Sequence, residues 1–299
     1  PSKSSMDTNT ILLTMASGNS LHAVRLMIDS LRTFGGELAE MPCWVFSTDK
    51  DRVRSLEDEH TSFQPVTMSD PVASYPFGIK VAACARAEAL TPAGMNSLVW
   101  IDPFCLVVQP PILFELGVDC DAAFRLVHIR NVGLPPAEPP DAFWHGIFAA
   151  VGIDEIQTTV TSFVDGQLLR SNFNSHAFSI NPVLGLMQRW DELFQKLVGD
   201  RSFQSSACAD EPHLVFLFQA LLSTLVATSI EPARLRILPP EYNYPYNLLE
   251  RIPSDRRLAA LNETVCFTYE DRLIHPAALT GIEVHEPLRA WLAAHAPEN

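Results

Sequence analysis

The 299-residue chain has no Cys-x-x-Cys pair, no Gly-x-Gly-x-x-Gly, no Gly-x-x-x-x-Gly-Lys loop, no Gly-x-Ser-x-Gly and no His-Glu-x-x-His. These absences remove the sequence grounds for a cysteine-held zinc, a dinucleotide fingerprint, a phosphate-cradling NTPase loop, a hydrolase nucleophile elbow and a zinc-peptidase helix. Positive charge is also scarce, with 21 Lys and Arg against 35 Asp and Glu and a net charge of -14. Neutralising nucleic-acid phosphates or anionic lipid needs a basic surface, so neither is an expected partner, and a small ligand is the more natural one. Long apolar runs are missing as well. The longest, Leu214 to Ile230, is interrupted by Gln219, Ser223, Thr224, Thr228 and Ser229 and falls short of the about 20 residues a membrane span needs, so it reads as a buried helix. Six cysteines are scattered among apolar neighbours, and residues 1–10 are polar with no apolar signal core. Together these point to a reduced, cytoplasmic protein.

At this length about 75% of the unfolded chain's surface can be buried, enough for a full core. The first part of the chain alternates strand and helix signals. Ile11-Leu12-Leu13 reads as a strand, Thr14 to Asn19 as a polar loop, and Ser20 as the cap of a helix ending at Gly35-Gly36. A strand at Trp44-Val45-Phe46, a charged helix from Lys50 to Glu59, a strand around Val66 and an alanine-rich helix from Ile79 to Leu90 follow. Leu98-Val99-Trp100-Ile101 then runs into Asp102, and Pro103 stops it. This βαβαβ order predicts a parallel sheet with crossover helices. In such sheets ligands gather beyond the carboxyl ends of central strands, which singles out Asp102.

Ala122 to Ile129 reads as a further strand, and the four prolines between Asn131 and Pro140 mark a break between two halves of the chain. Beyond the break, Phe143 to Val151 reads as helix, and Phe173 to Ile180 as a strand with Asn174 and His176 on one face and Ser175 on the other. Helical spacing starts at Val183 and includes Met187, Trp190, Phe194 and Leu197. Asp210 can cap the apolar helix that follows, and the tail carries a strand near Val265 to Thr268 and a helix after Pro287.

The order of these pieces resembles the GT-A-fold nucleotide-sugar glycosyltransferases, most closely the glycogenin and galactosyltransferase-like branch. The resemblance rests on Tyr75-Pro76-Phe77-Gly78-Ile79-Lys80, Leu98 to Phe104, Phe173 to Pro182, Asp210-Glu211-Pro212, Tyr242-Asn243-Tyr244 and Ile274-His275-Pro276, in that order along nearly the whole chain. It implies one α/β domain over 1–299, with a mixed, mostly parallel sheet flanked by helices. Residues 8–130 would be the nucleotide-binding half and 131–299 the sugar and acceptor half. The implied activity moves a sugar from a nucleoside-diphosphate sugar, a UDP-sugar, to an acceptor hydroxyl.

Thr14 and Ser17 would line the base, Lys80 would reach donor phosphate, and Asn174 and His176 would face the donor sugar. Asp210, the catalytic candidate beside Asn174, also has a complete explanation as a helix cap. The family's central strand ends in an Asp-x-Asp pair that, with a later His, holds a divalent cation. This chain reads Asp102-Pro103-Phe104, which leaves Asp102 and His275 as ligands for a Mn or Mg ion. His176 stands where the family has Gly. A relative that binds a nucleotide sugar or a protein partner without catalysis is the alternative that these departures leave open.

Overall fold

The computed structural model describes residues 9–297, and the polar segment 1–8, read above for signal character, lies outside them. The strands of the first half are β1 (Thr10–Met15), β2 (Cys43–Ser47), β3 (Thr61–Pro65), β4 (Ser97–Ile101), β5 (Cys105–Val107) and β6 (Ala122–Leu126). Then come β7 (Thr159–Thr161), β8 (Leu168–Arg170), β9 (Phe173–Ile180), β10 (Leu235–Ile237), β11 (Tyr244–Pro245) and β12 (Cys266–Thr268). Seven of them form the central sheet in the order β10-β6-β9-β4-β1-β2-β3. Every pairing in that sheet is parallel except those of β9, which runs antiparallel to both β4 and β6. The protein is therefore a mixed, mostly parallel α/β protein; the strand and helix signals predict the parallel pairings, and the family resemblance implies the mixed sheet.

The central strands β1 and β4 are apolar on both faces because both faces are covered. Ile11, Leu13, Leu98 and Trp100 point into one core, and Leu12, Val99 and Ile101, one residue out of phase, point into another. Helix α1 (Leu21–Phe34) covers the second core, and the short helices α2 (Lys50–Val53) and α3 (Asp70–Ala73) lie along the chain before α4 (Gly78–Leu90). The first core is covered by α4 and by α5 (Ala142–Val151), α6 (Leu186–Gly199), α7 (Arg201–Ala207) and α8 (Glu211–Ser229). A three-stranded sheet, β11-β12-β5, builds a third core with the terminal helix α9 (Leu288–His295). Burying one large apolar side chain completely stabilises by about 2 kcal/mol, so side chains such as Trp100, Phe178 and Phe194 dominate this packing.

Helix α8 is 19 residues long and apolar enough, by length and composition, to cross a membrane. Every residue from Leu217 to Val226 is nonetheless buried among β9, α5 and α6, as in a core helix.

Several boundaries differ from the sequence expectation for local reasons. Thr14 and Met15 belong to β1 rather than to the loop after it. Ser20 does not cap α1 with its side chain; it closes its own turn, donating to the Ser17 carbonyl at 2.8 Å and accepting from the Ser17 N–H at 3.0 Å. The charged helix expected to reach Glu59 ends at Val53 and tightens into a single turn over Arg54–Leu56, after which Glu57 is extended. Strand β6 stops at Leu126, opposite Phe173, because its partner β9 begins there. Val183 lies outside α6, on the solvent side of a turn closed by Gly185 at φ 64°.

Candidate functional site

The cleft is built where β4 ends. Asp102 follows the last residue of β4, and its N–H donates to the His176 carbonyl at 2.7 Å, so β9 fixes the turn that carries it. Asp102 is 7% exposed. Its Oδ1 accepts from Trp100 Nε1 at 2.6 Å and from Lys80 Nζ at 2.9 Å, and its Oδ2 accepts from Lys80 at 3.1 Å.

Lys80 is fully buried, and its third donor goes to the Ser175 carbonyl at 2.5 Å. An ammonium has three N–H groups, and all three are engaged. The rings of Trp100 and Phe218 lie 5.2 and 5.4 Å from the same nitrogen, within cation–π range. The lysine can sit so deep because Gly78, two residues earlier, lets α4 approach α3. A Cβ at Gly78 would come to 2.0 Å from the Val72 carbonyl oxygen. Phe77, at the helix cap, takes a left-handed φ of 60° to make that entry.

The opposite wall comes from β9 and from the turn after β12. Asn174 Oδ1 accepts from the His176 N–H at 2.8 Å, faces His176 Nδ1 at 3.1 Å and accepts from Asn243 Nδ2. Asn243, itself at φ 51°, accepts from Thr268 Oγ1 at 2.6 Å. His176 Nε2 lies 3.1 Å from Glu270 Oε1. The hydrogen bond from His176 is the main cause holding the Glu270 carboxyl below the usual glutamate range, aided by the imidazole's charge. Glu270 adopts φ 49°, a left-handed conformation that non-glycine residues take mainly where surroundings enforce it, often at functional sites.

Two adjoining cavities meet at this wall. A cavity of about 480 Å³ lies between the loop after β1, with Ser17, Asn19 and Ser20, and the exposed rings of Phe77 and Phe104. A second, of about 250 Å³, is lined by His128, Asn174, Ser175, Gln219 and Asn247, among others. Asp102, His176, Glu270 and Phe77 border both. No Lys or Arg is among the described residues that line either one.

Asp102, Ser17, Asn174 and His176 are thus brought to one cleft. Thr14 is buried on β1 with its hydroxyl unpartnered, and it lines neither cavity. Lys80 stands against Asp102 rather than at an open phosphate position, which corrects the expectation that it reaches a ligand directly. Asp210 caps α8, accepting from the His213 N–H at 3.0 Å, and borders a separate cavity that shares Asn131 with the smaller of the two and no lining residue with the larger. The His213 contacts hold its carboxyl below the usual aspartate range.

The metal expected from Asp102 and His275 does not fit these residues. Both Asp102 oxygens are occupied by buried donors, and the next-but-one residue is Phe104. His275 accepts from the Ala277 N–H at 3.3 Å and borders neither cavity. Among the described residues no three His, Cys, Asp or Glu side chains cluster to hold an ion.

Glu270 was absent from the sequence candidates, although Tyr269-Glu270-Asp271-Arg272 offered a visible acidic pair just before the Ile274-His275-Pro276 segment that was chosen instead.

This arrangement of a central strand ending in an acid, a loop after β1 and an inserted antiparallel β9 defines a GT-A glycosyltransferase fold. The galactosyltransferase LgtC, solved with donor and acceptor sugar analogues, is similar with a TM-score of 0.52 and 12% identity over 96% of this chain and 98% of that one. An active-site mutant of LgtC gives 0.54 at the same identity and coverage. The bifunctional glycosyltransferase WbbM gives 0.50 at 11% identity, over 88% of this chain and 46% of that one. No family model and no curated protein sequence matches the chain.

Proposed function

We propose that the protein transfers a sugar from a nucleoside-diphosphate sugar, a UDP-sugar, to an acceptor hydroxyl. The observation that carries this reading is Asp102 at the carboxyl end of β4, between the cavity beside the loop after β1 and the cavity beneath Asn174 and His176. The larger cavity, flanked by two exposed aromatic rings, suits a planar base, and the smaller one suits a sugar ring. In this reading residues 8–130 form the nucleotide-binding half and 131–299 the sugar and acceptor half. Asp102, held rigid by Lys80 and Trp100, orients the donor, and Asn174 and His176 contact its sugar. A cytoplasmic location belongs to the same proposal, supported by six cysteines that are all unpaired. No step is assigned to Mn or Mg, because both Asp102 oxygens already accept from Lys80 and Trp100.

A second reading, a relative that binds a nucleotide sugar without turning it over, is favoured by one observation. Neither cavity is lined by a Lys or Arg among the described residues, so a departing diphosphate would meet little positive charge. Thermal shift with UDP and UDP-sugars, with and without manganese, paired with an assay of donor turnover, tests both. Binding with turnover that Asp102→Asn removes supports transfer. Binding without turnover supports the second reading, and absence of any nucleotide shift defeats both.

A further inference from the structure

Two acceptors meet the imidazole of His176, and together they fix its charge. Asn174 Oδ1 accepts from the His176 backbone N–H at 2.8 Å and from Asn243 Nδ2, so the atom 3.1 Å from His176 Nδ1 is an acceptor, and Nδ1 carries a proton. On the other side, Nε2 lies 3.1 Å from Glu270 Oε1, whose carboxyl this contact holds below the usual glutamate range, so it is ionised. A lone pair on Nε2 would face a carboxylate oxygen, whereas a proton there makes a charge-assisted hydrogen bond. With both nitrogens protonated the ring is an imidazolium.

That charge sits where the two cavities meet. A nucleoside-diphosphate sugar with its base in the larger cavity and its sugar in the smaller one carries its diphosphate across this junction. Asp102, His176, Glu270 and Phe77 border both cavities. Asp102 is neutralised by Lys80, whose three N–H groups are all taken. His128, on the smaller cavity, is neutral, because burial first, then the charges of Arg125 and His176, hold its pKa well below 6.5. With no Lys or Arg among the described lining residues, His176 is the cation they offer. Its side chain is 26% exposed, so a ligand can reach it, and that of Glu270 is 46% exposed, so the carboxylate can turn to water without being stranded in the interior.

We propose that His176 holds the diphosphate of the donor and that Glu270 is an internal competitor, a carboxylate that occupies the imidazolium until the donor's phosphate displaces it. The inference rests on the donor reading above and adds the diphosphate to the sugar contact given there to His176.

Isothermal titration with UDP and with uridine, in EDTA at about pH 6, where an imidazole freed of its carboxylate keeps most of its charge, tests it on wild type, Glu270→Gln, His176→Gln and the double variant. Both replacements put a neutral polar side chain at a partly exposed position, so folding is retained. Glu270→Gln is expected to bind UDP about fivefold more tightly than wild type, the scale of one partly exposed ion pair. His176→Gln is expected to bind it about tenfold more weakly, the scale of one hydrogen bond to a charged group. Adding Glu270→Gln to His176→Gln is expected to gain nothing, since the competitor then has nothing to occupy. Uridine, which lacks the diphosphate, is expected to bind all four alike. UDP affinity that is unchanged or weakened in Glu270→Gln, an equal gain in the His176→Gln background, or a loss in His176→Gln that uridine shares overturns the proposal. If UDP binds none of the four, the donor reading fails by that result alone, and the His176 ring nitrogen resonances titrated with inorganic pyrophosphate decide the anion site. A shift larger in Glu270→Gln than in wild type supports it, and any other result overturns it.

Discussion

Lys80 and Asp102 lie 22 residues apart in sequence, one on a helix and one at the end of a strand, yet the ammonium sits between both carboxylate oxygens with no exposed surface of its own. Removing one member of a buried ion pair strands the other charge, at a cost of about 3–5 kcal/mol, whereas removing both together costs much less. Lys80→Met is therefore expected to lower stability by about 3 kcal/mol or more, and the Lys80→Met, Asp102→Leu double variant to recover a large part of that loss. Urea denaturation of the single and double variants measures the coupling, and additive losses would show that the pair is not energetically linked.

The same pairing bears on metal dependence. With both Asp102 oxygens engaged by Lys80 and Trp100, manganese added to the free protein is expected to find no tight site. Electron paramagnetic resonance titration reads this directly. Micromolar manganese binding that Asp102→Asn removes would contradict it.

Gly78 gives a packing prediction. A methyl group there meets backbone rather than a movable side-chain tip, so α4 must shift away from α3. Overpacking of this kind costs about 1–3 kcal/mol, and Gly78→Ala is expected at or above the top of that range. Because the shift would also carry Lys80 away from Asp102, the loss should be smaller when measured in the Lys80→Met, Asp102→Leu background.

His128 sets a pH dependence. Its folded pKa lies below the unfolded value of 6.5, so between the two the unfolded chain binds more protons than the native one. Its contribution to stability is present above pH 6.5 and is lost as pH falls below that, by up to about 1.4 kcal/mol per pH unit. Glu270 acts lower, since its carboxyl is depressed from 4.5, and its contribution is lost only below that value. Urea unfolding at pH 7, 6 and 5 should show wild type losing stability relative to His128→Phe, and parallel curves would argue against a buried neutral His128.

Asp210 can be separated into cap and catalyst. Asn caps a helix as well as Asp does, whereas Ala forfeits about 1 kcal/mol. Asp210→Asn is thus expected to keep stability and Asp210→Ala to lose it. If donor turnover survives in Asp210→Asn, the residue serves as the cap of α8 alone.

Much of the fold was legible in the sequence because its signals are local. The apolar run into Asp102 and Pro103, the capping Asp210 and the alanine-rich helix after Gly78 each announce themselves within a few residues. What was not legible depends on distant partners. Lys80 reads as a phosphate ligand until β9 brings the Ser175 carbonyl beside it, 95 positions away. Glu270 lies in a turn with no periodicity, and only the fold sets it against His176. His128 sits within a run that reads as strand to Ile129, and it becomes a cavity residue because β9 begins too late to pair with it.

The placement of β9 has a consequence for how the chain is made. Strands β4 and β6 are synthesised first, but each pairs with β9 and not with the other, so until residue 180 has emerged both present bare hydrogen-bonding edges. Unpaired edges are where β proteins associate wrongly, and late, long-range pairing prolongs that exposure. A nascent chain halted before β9 would be sticky, and the strand that completes the cleft is also the one that shields the growing protein from its neighbours.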